Sequence, residues 1–490
     1  MEQAATSAAS VSRHGNYVNG EWITEGPQLE VRNPANTDEV VAVFIKSPAS
    51  GIERAAAAAE AALAGWSGMP APARGNILFK AADILDSRFE KIAAEMTREE
   101  GKTFPEAKGE VRRSINIFRY FAGEGSRMPG MTVPSERDRV HMFTFRRPIG
   151  VVGLITPWNF PSAIPAWKLA PALICGNTVI LKPASVAPLS SWRLVEALHE
   201  AGIPKGVVNF VVGSGSELGQ ALVNAGPLKA VSFTGSCQIG QWLHEQASRR
   251  RLRIQLEMGA KNPTIVLADA DLAMATENVV NAAFFSTGQK CTATSRVIVE
   301  DAIYDKFLAS LIERTKRLKV GNGMEAGIDI GPCVDENQMN TVLRYIEIGK
   351  KEAGAPKLGG NRLTDAAHAK GYFIEPTIFT EVGEDMVIAR EEIFGPVLAV
   401  MRARNFEDAM RIANNSAMGL SASIQTSNLS RVFEYLSGMQ AGLLTVNLPS
   451  AGVEYQLPFG GTKDSSFGPK EQGQTALEFY SDYKTVYLKY

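Results

Sequence analysis

From Arg146 onward the chain alternates short apolar runs with amphipathic stretches of helical length. Ile149–Thr156, Thr178–Lys182, Val207–Val212 and Ala230–Phe233 are nearly continuous in apolar character, so each reads as a strand buried on both faces. Ser190–Ala201 and Ser216–Ala225 between them read as helices. Such alternation closes as a parallel sheet covered by helices on both sides. It resumes further on. Thr264–Leu267, Arg296–Val299, Val397–Met401 and Gly442–Val446 are expected strands; Asp271–Phe285, Ala302–Leu318, Asn405–Asn414 and Leu429–Met439 are expected helices. The two α/β units meet near Arg253–Gly259. Ahead of them lie helical regions at 51–65 with Ser50 as N-cap, 73–100 and 104–123. Met131–Phe145 and Phe479–Tyr490 fit neither unit. Both alternate as exposed strands do, and are expected to pair with each other or with a neighbouring subunit.

A chain of 490 residues exceeds one ordinary core, so two or three domains are expected. With 51 basic and 52 acidic side chains, neither nucleic acid nor an anionic membrane is an expected partner. No apolar run approaches the roughly 20 residues of a membrane span. Met1–Thr6 has neither the basic start nor the apolar stretch of a secretory signal, and Glu2 argues against a transit peptide. Cys175, Cys237, Cys291 and Cys333 show no CxxC spacing and the five histidines are scattered, so neither disulfide framework nor metal site is expected. The cytoplasm is the default location.

Cys291 stands out by its setting, a small polar turn after an apolar helical run, read as flexible. Its thiolate would suit attack on a carbonyl, with Glu257 upstream as a candidate base. Two loops follow expected strands: Gly213-Ser214-Gly215-Ser216-Glu217-Leu218-Gly219 and Thr234-Gly235-Ser236. Glycines admit a phosphate to the backbone and helix starts offer N–H donors. Neither loop has full GxGxxG or P-loop spacing, so from spacing alone ordinary capped turns are the favoured reading of them and a dinucleotide site the lesser one. Lys182 is either an exposed strand end or a ribose or phosphate ligand. Trp167 and Phe285 read as core or as walls of a substrate tunnel.

Seven stretches in order resemble the NAD(P)-dependent aldehyde dehydrogenase superfamily, over nearly the whole chain. They are Thr156–Pro161, Lys182–Ser185, Phe233–Ser236, the Glu257 stretch, Gly288–Cys291, Glu391–Pro396 and Pro458–Gly461. The resemblance implies an α/β protein with two doubly wound parallel-sheet domains and a small β oligomerisation hairpin. Residues 1–125 and 147–255 would bind the dinucleotide, 256–469 would carry catalysis, and 126–146 with 470–490 would join subunits into a homodimer or homotetramer. It implies Cys291 as nucleophile, Glu257 as general base and Asn159 as oxyanion donor. Thr156, Trp158, Lys182, Ser185, Gly215, Gly219, Phe233, Gly235, Ser236, Glu392 and Phe394 would contact NAD or NADP. Trp167, Phe160, Phe285, Lys290 and Thr292 would line the substrate pocket.

Two departures refine this. Ser185 stands where NAD-specific relatives often carry Glu, so no carboxylate would repel a 2′-phosphate, and NADP is expected to be accepted. Trp167 stands where relatives acting on succinic semialdehyde often carry Arg. The run Asn447–Lys463 resembles the 2-oxoglutarate semialdehyde (2,5-dioxopentanoate) dehydrogenases, which makes that semialdehyde the leading expected substrate. Succinic semialdehyde or a broad range of aldehydes is the alternative, and an inactive structural protein on this fold the remote one. Glu257 argues against thioester transfer to coenzyme A, and no histidine lies beside Cys291 to make a cysteine hydrolase.

Overall fold

The computed structural model describes residues 11–490, so the expectation drawn from Met1–Thr6 lies outside the described residues. Five strands run parallel in the spatial order Arg253–Glu257, Leu228–Thr234, Val151–Ile155, Thr178–Lys182, Val208–Phe210. All but the first residue of Arg253–Glu257 and Lys229 are buried. Successive side chains enter opposite cores: Val152 and Leu154 pack into one, Val151 and Ile155 into the other. Antiparallel strands finish the sheet, Ser466–Phe467 at one edge and Asn16–Val18 with Glu21–Ile23 at the other. Strand order reverses between Val151–Ile155 and Leu228–Thr234. In such sheets the crevice beyond the carboxyl ends at that point receives a ligand.

The second sheet has six parallel strands, ordered Thr377–Phe379, Val397–Ala403, Thr294–Glu300, Asn262–Val266, Ser421–Gln425, Leu443–Val446. Its two faces bury separate clusters, with Ile265 and Ile298 on one side and Val266, Val297 and Val299 on the other. The leftover segments pair as expected. Val140–Pro148 runs antiparallel to Ser481–Lys489, and Thr132–Val133 adds a third strand.

Several helix ends differ from the sequence reading, for one physical reason. The first helix spans Ala49–Gly68, so Ser50 lies in its first turn and caps nothing; the Ala49 N–H is taken 3.0 Å away by the carboxylate of Glu217. The start of Leu189–Ala201 is likewise held by Glu99, which accepts from the N–H groups of Leu189 and Ser190. Distant carboxylates do the work of local caps. The single helix expected over 73–100 is two, Ala71–Ser87 and Phe89–Glu100, broken at Arg88. Cys237–Arg250 and Glu336–Ala353 are helices the sequence reading did not place.

Candidate active site

The turn carrying Cys291 is held tightly, against the expectation of a flexible one. After the helix Leu272–Phe284 the backbone bends through Ser286 and Thr287, at φ 55° and 58°. Left-handed non-glycine residues cost on the order of 1–3 kcal/mol and persist only where the surroundings fix them. Here Glu106 accepts from both the N–H and the hydroxyl of Ser286, and Thr287 donates to the Gly331 carbonyl at 2.9 Å. Gly288 also has positive φ, and a Cβ there would come within 2.3 Å of the Gly395 oxygen. Asn262 donates to the carbonyls of Cys291 and Ala293, at 2.7 and 2.9 Å, and Ser450 to that of Thr292. The turn leads into Thr294–Glu300, so the sulfur sits at the amino ends of the second sheet, facing the carboxyl ends of the first.

Two cavities meet there. One of about 270 Å³ lies beyond the switch point of the first sheet and is lined by Trp158, Asn159, Gly235, Ser236, Glu392 and Phe394, among others. The other, about 330 Å³, is lined by Glu106, Glu110, Arg113, Phe160, Trp167, Phe285, Lys290, Thr292 and Phe459, among others. Among the described residues Cys291 alone lines both. All five expected pocket residues stand on the second cavity. Trp167 is both core and wall, since it is buried and its indole N–H donates to Glu471 at 2.9 Å.

The first cavity fits a dinucleotide. Gly235 is obligatory, because a Cβ there would lie 2.6 Å from the Phe233 ring. The hydroxyl of Thr234, on the cavity wall, is buried without a protein partner. Ser236, also on the cavity wall, caps the helix Cys237–Arg250 by accepting from the Ile239 N–H. Glu392 is half-buried on the cavity wall, where desolvation raises its carboxyl to about 7 while it accepts from Ala260 N–H at 2.8 Å. Phe394 stands edge-on to Trp158, ring centres 5.4 Å apart. Thr156, Lys182, Ser185, Gly215, Gly219 and Phe233 do not line this cavity. Lys182 donates only to the Pro183 carbonyl, pairs with no carboxylate among the described residues, and is lowered to about 8 by burial. Ser185 donates to the Gly213 carbonyl at 2.6 Å.

Asn159 is buried on the wall beside Cys291, with one amide N–H given to the Gln289 carbonyl at 3.0 Å. Glu257 ends its strand buried, yet lines neither cavity. One oxygen accepts from the Ser466 hydroxyl at 2.5 Å, the other from Gln255 at 3.3 Å. Burial, then the charge of Glu471, holds its carboxyl above the usual range. Burial also raises the Cys291 thiol, and Glu257 and Glu392 raise it further.

Sequence reasoning missed the residues that hold these groups in place. Lys102, buried against Glu110, donates to the Asn159 carbonyl at 2.8 Å. Glu471 joins Trp167 to Lys168, and Ser466 restrains Glu257. In sequence each is an ordinary helical or loop charge with no local signature.

A doubly wound sheet that opens a nucleotide-type crevice onto a cysteine carried by a second parallel sheet is the architecture of a dinucleotide-dependent enzyme. The chain belongs to the aldehyde dehydrogenase family, whose model matches residues 22–486. It is 47% identical over 476 residues to an alpha-ketoglutaric semialdehyde dehydrogenase of Bacillus subtilis, covering 97% of this chain and 98% of that one. A 2,5-dioxopentanoate dehydrogenase of Saccharolobus solfataricus is 45% identical over 470 residues, with 95% and 97% covered. Among solved structures, betaine aldehyde dehydrogenase of Staphylococcus aureus in complex with NAD+ superposes with a TM-score of 0.94 at 33% identity, over 98% of this chain and 95% of that one.

Proposed function

We propose that this aldehyde dehydrogenase oxidises 2,5-dioxopentanoate to 2-oxoglutarate, using NAD or NADP. The observation that carries the chemistry is the position of Cys291 as the one side chain shared by the two cavities. An aldehyde entering from the Trp167 side reaches the sulfur, which gives up its proton to solvent water and adds to the carbonyl carbon as a thiolate. Asn159 and the Cys291 N–H then stabilise the alkoxide oxygen. The dinucleotide, held between Trp158, Gly235, Ser236, Glu392 and Phe394, supplies the hydride acceptor. Loss of hydride leaves a thioester on Cys291. Glu257 leaves Ser466, takes a proton from water, and the hydroxide formed releases the acid and the thiol. Its raised pKa suits it to hold that proton.

The relatives support the semialdehyde over plain aldehydes. Steady-state kcat/KM for 2,5-dioxopentanoate, succinic semialdehyde and uncharged aldehydes tests it, and a preference for uncharged aldehydes would reject it. Ser185 supports acceptance of NADP, since no carboxylate stands there.

We further infer that 1–125 with 147–255 binds the dinucleotide, that 256–469 carries catalysis, and that 126–146 with 470–490 joins subunits. Support for the last is an exposed apolar patch on one face of the three-stranded sheet, including Phe143, Phe145 and Leu488. Light scattering that returns a monomer would overturn it. The four free cysteines and the thiol chemistry support a reducing, cytoplasmic setting. No described helix is long and apolar enough to cross a membrane.

A further inference from the structure

The substrate-side cavity carries two acids and two bases, and only the acids have both ends of the group engaged by the scaffold. Glu106 accepts from Ser286 at one oxygen and from Thr103 at the other. Glu110 accepts from the N–H groups of Ser162 and Ala163, at 2.8 and 3.0 Å, and pairs with Lys102. Both carboxylates are therefore consumed in building the scaffold.

The bases are different. Arg113 projects from the helix Phe104–Glu124 and donates to the Val453 carbonyl and, at 3.1 Å, to the side-chain oxygen of Gln472. A guanidinium has five N–H groups in a flat fork, and Nε of Arg113 is buried with no acceptor. Lys290 donates to the Asn281 carbonyl at 3.1 Å. Among the described residues neither cation is salt-bridged to a carboxylate. Both side chains are half-buried, and the charges of Glu110 and Glu106 act on Arg113 and Lys290 without pairing with them, so what a scaffold role leaves unexplained is the orphaned Nε of Arg113. Burial lowers both groups, Lys290 to about 8, and a guanidinium stays protonated in proteins whatever its surroundings.

We propose that Arg113, assisted by Lys290, binds the carboxylate end of the substrate, so that this cavity selects short aldehydes bearing an anionic far end. The guanidinium fork matches a carboxylate edge to edge. Phe160, Trp167 and Phe459 supply apolar walls for the carbon chain between the two ends. This rests on the semialdehyde reading above and names the residues that would enforce it. It also accounts for Trp167: the cation needed for an anionic substrate comes from another helix.

The test compares kcat/KM for 2,5-dioxopentanoate with that for pentanal, in the wild type and in Arg113→Met, Arg113→Lys and Lys290→Met. Loss of a charged hydrogen-bond partner is expected to lower the anionic-to-neutral ratio about 10- to 100-fold in Arg113→Met, chiefly through KM. Arg113→Lys should recover part of the ratio, and Lys290→Met should lower it less. Proportional loss on both substrates would overturn the proposal, leaving Arg113 as a brace for the Val453 segment; so would an unchanged ratio. A wild type with no anionic preference would instead sink the semialdehyde reading itself. Should Arg113→Met fail to fold, glutarate decides. It should compete with pentanal in the wild type and about 10-fold more weakly in Lys290→Met, whereas no competition in the wild type would overturn the proposal.

Discussion

The two cavities that meet at Cys291 are built by different means. The cofactor side is centred on strand ends, with Pro157-Trp158-Asn159 after one strand and Thr234-Gly235-Ser236 at the end of another, two short contiguous motifs that Met258-Gly259, Gln338, Thr341 and Glu392-Ile393-Phe394 complete. The substrate side is assembled from four distant stretches, around Glu106–Arg113, Phe160–Trp167, Asn281–Thr292 and Ala451–Phe459. The difference teaches that a motif is a local backbone event, whereas specificity is gathered from afar by packing. Predictions follow from setting one side against the other.

The largest effect is expected at the residue both sides share. Cys291→Ala should lower kcat by about 10⁴-fold or more, while dinucleotide binding, followed by fluorescence titration, persists. Loss of that binding as well would show that the cavities are not separable. Asn159→Ala should come next, with a fall of about 100- to 1,000-fold in kcat. It lies on the cofactor-side wall and acts on an atom common to all aldehydes, so the fall should be equal for anionic and neutral substrates. A substrate-dependent fall would blur the distinction between the two sides.

Ser185→Glu probes the cofactor side alone. A carboxylate at this position accepts a ribose hydroxyl and repels a 2′-phosphate, so the ratio of kcat/KM for NADP over NAD should drop about 10-fold or more. The anionic-to-neutral substrate ratio should stay level. An unaltered cofactor ratio would place the 2′-position elsewhere.

Much of this was legible because burial and motif coincide in the chain. Thr178–Lys182 was bounded to the residue, and Leu443–Val446 within one. Where the reading failed, the stabilising partner is remote. Ser50 looks like a cap, but Glu217 holds that helix; nothing near Ala49 in sequence reveals it. The turn at Cys291 looks loose, because Glu106, Gly331 and Asn262 reach it only in the folded chain. Glu336–Ala353 is a different case. Its buried residues Met339, Val342, Tyr345, Ile346 and Gly349 do carry helical spacing behind an Asp335 cap, so here the local signal is present in the sequence.

The smallest effect concerns stability, and bears on how the substrate side is propped. Glu100 is fully buried beside Lys102, which supports Asn159 from that side; burial first, against the opposing pull of Lys102, raises it to about 7. A carboxyl raised in the folded state holds its proton longer than in the unfolded chain. Its contribution is therefore complete below the unfolded value near 4.5 and is lost as pH rises through about 7. From this group alone the melting temperature should decline between about pH 5 and 7. Glu100→Gln keeps an acceptor for the Lys102 N–H, now 3.0 Å from the Glu100 carboxylate, and removes the titration. Thermal denaturation should show a flatter profile in the variant, with a difference on the order of 1–3 kcal/mol across that window. A profile as steep as the wild type would mean that Lys102 keeps Glu100 ionised, and that the substrate side is braced by an ion pair rather than by a neutral acid.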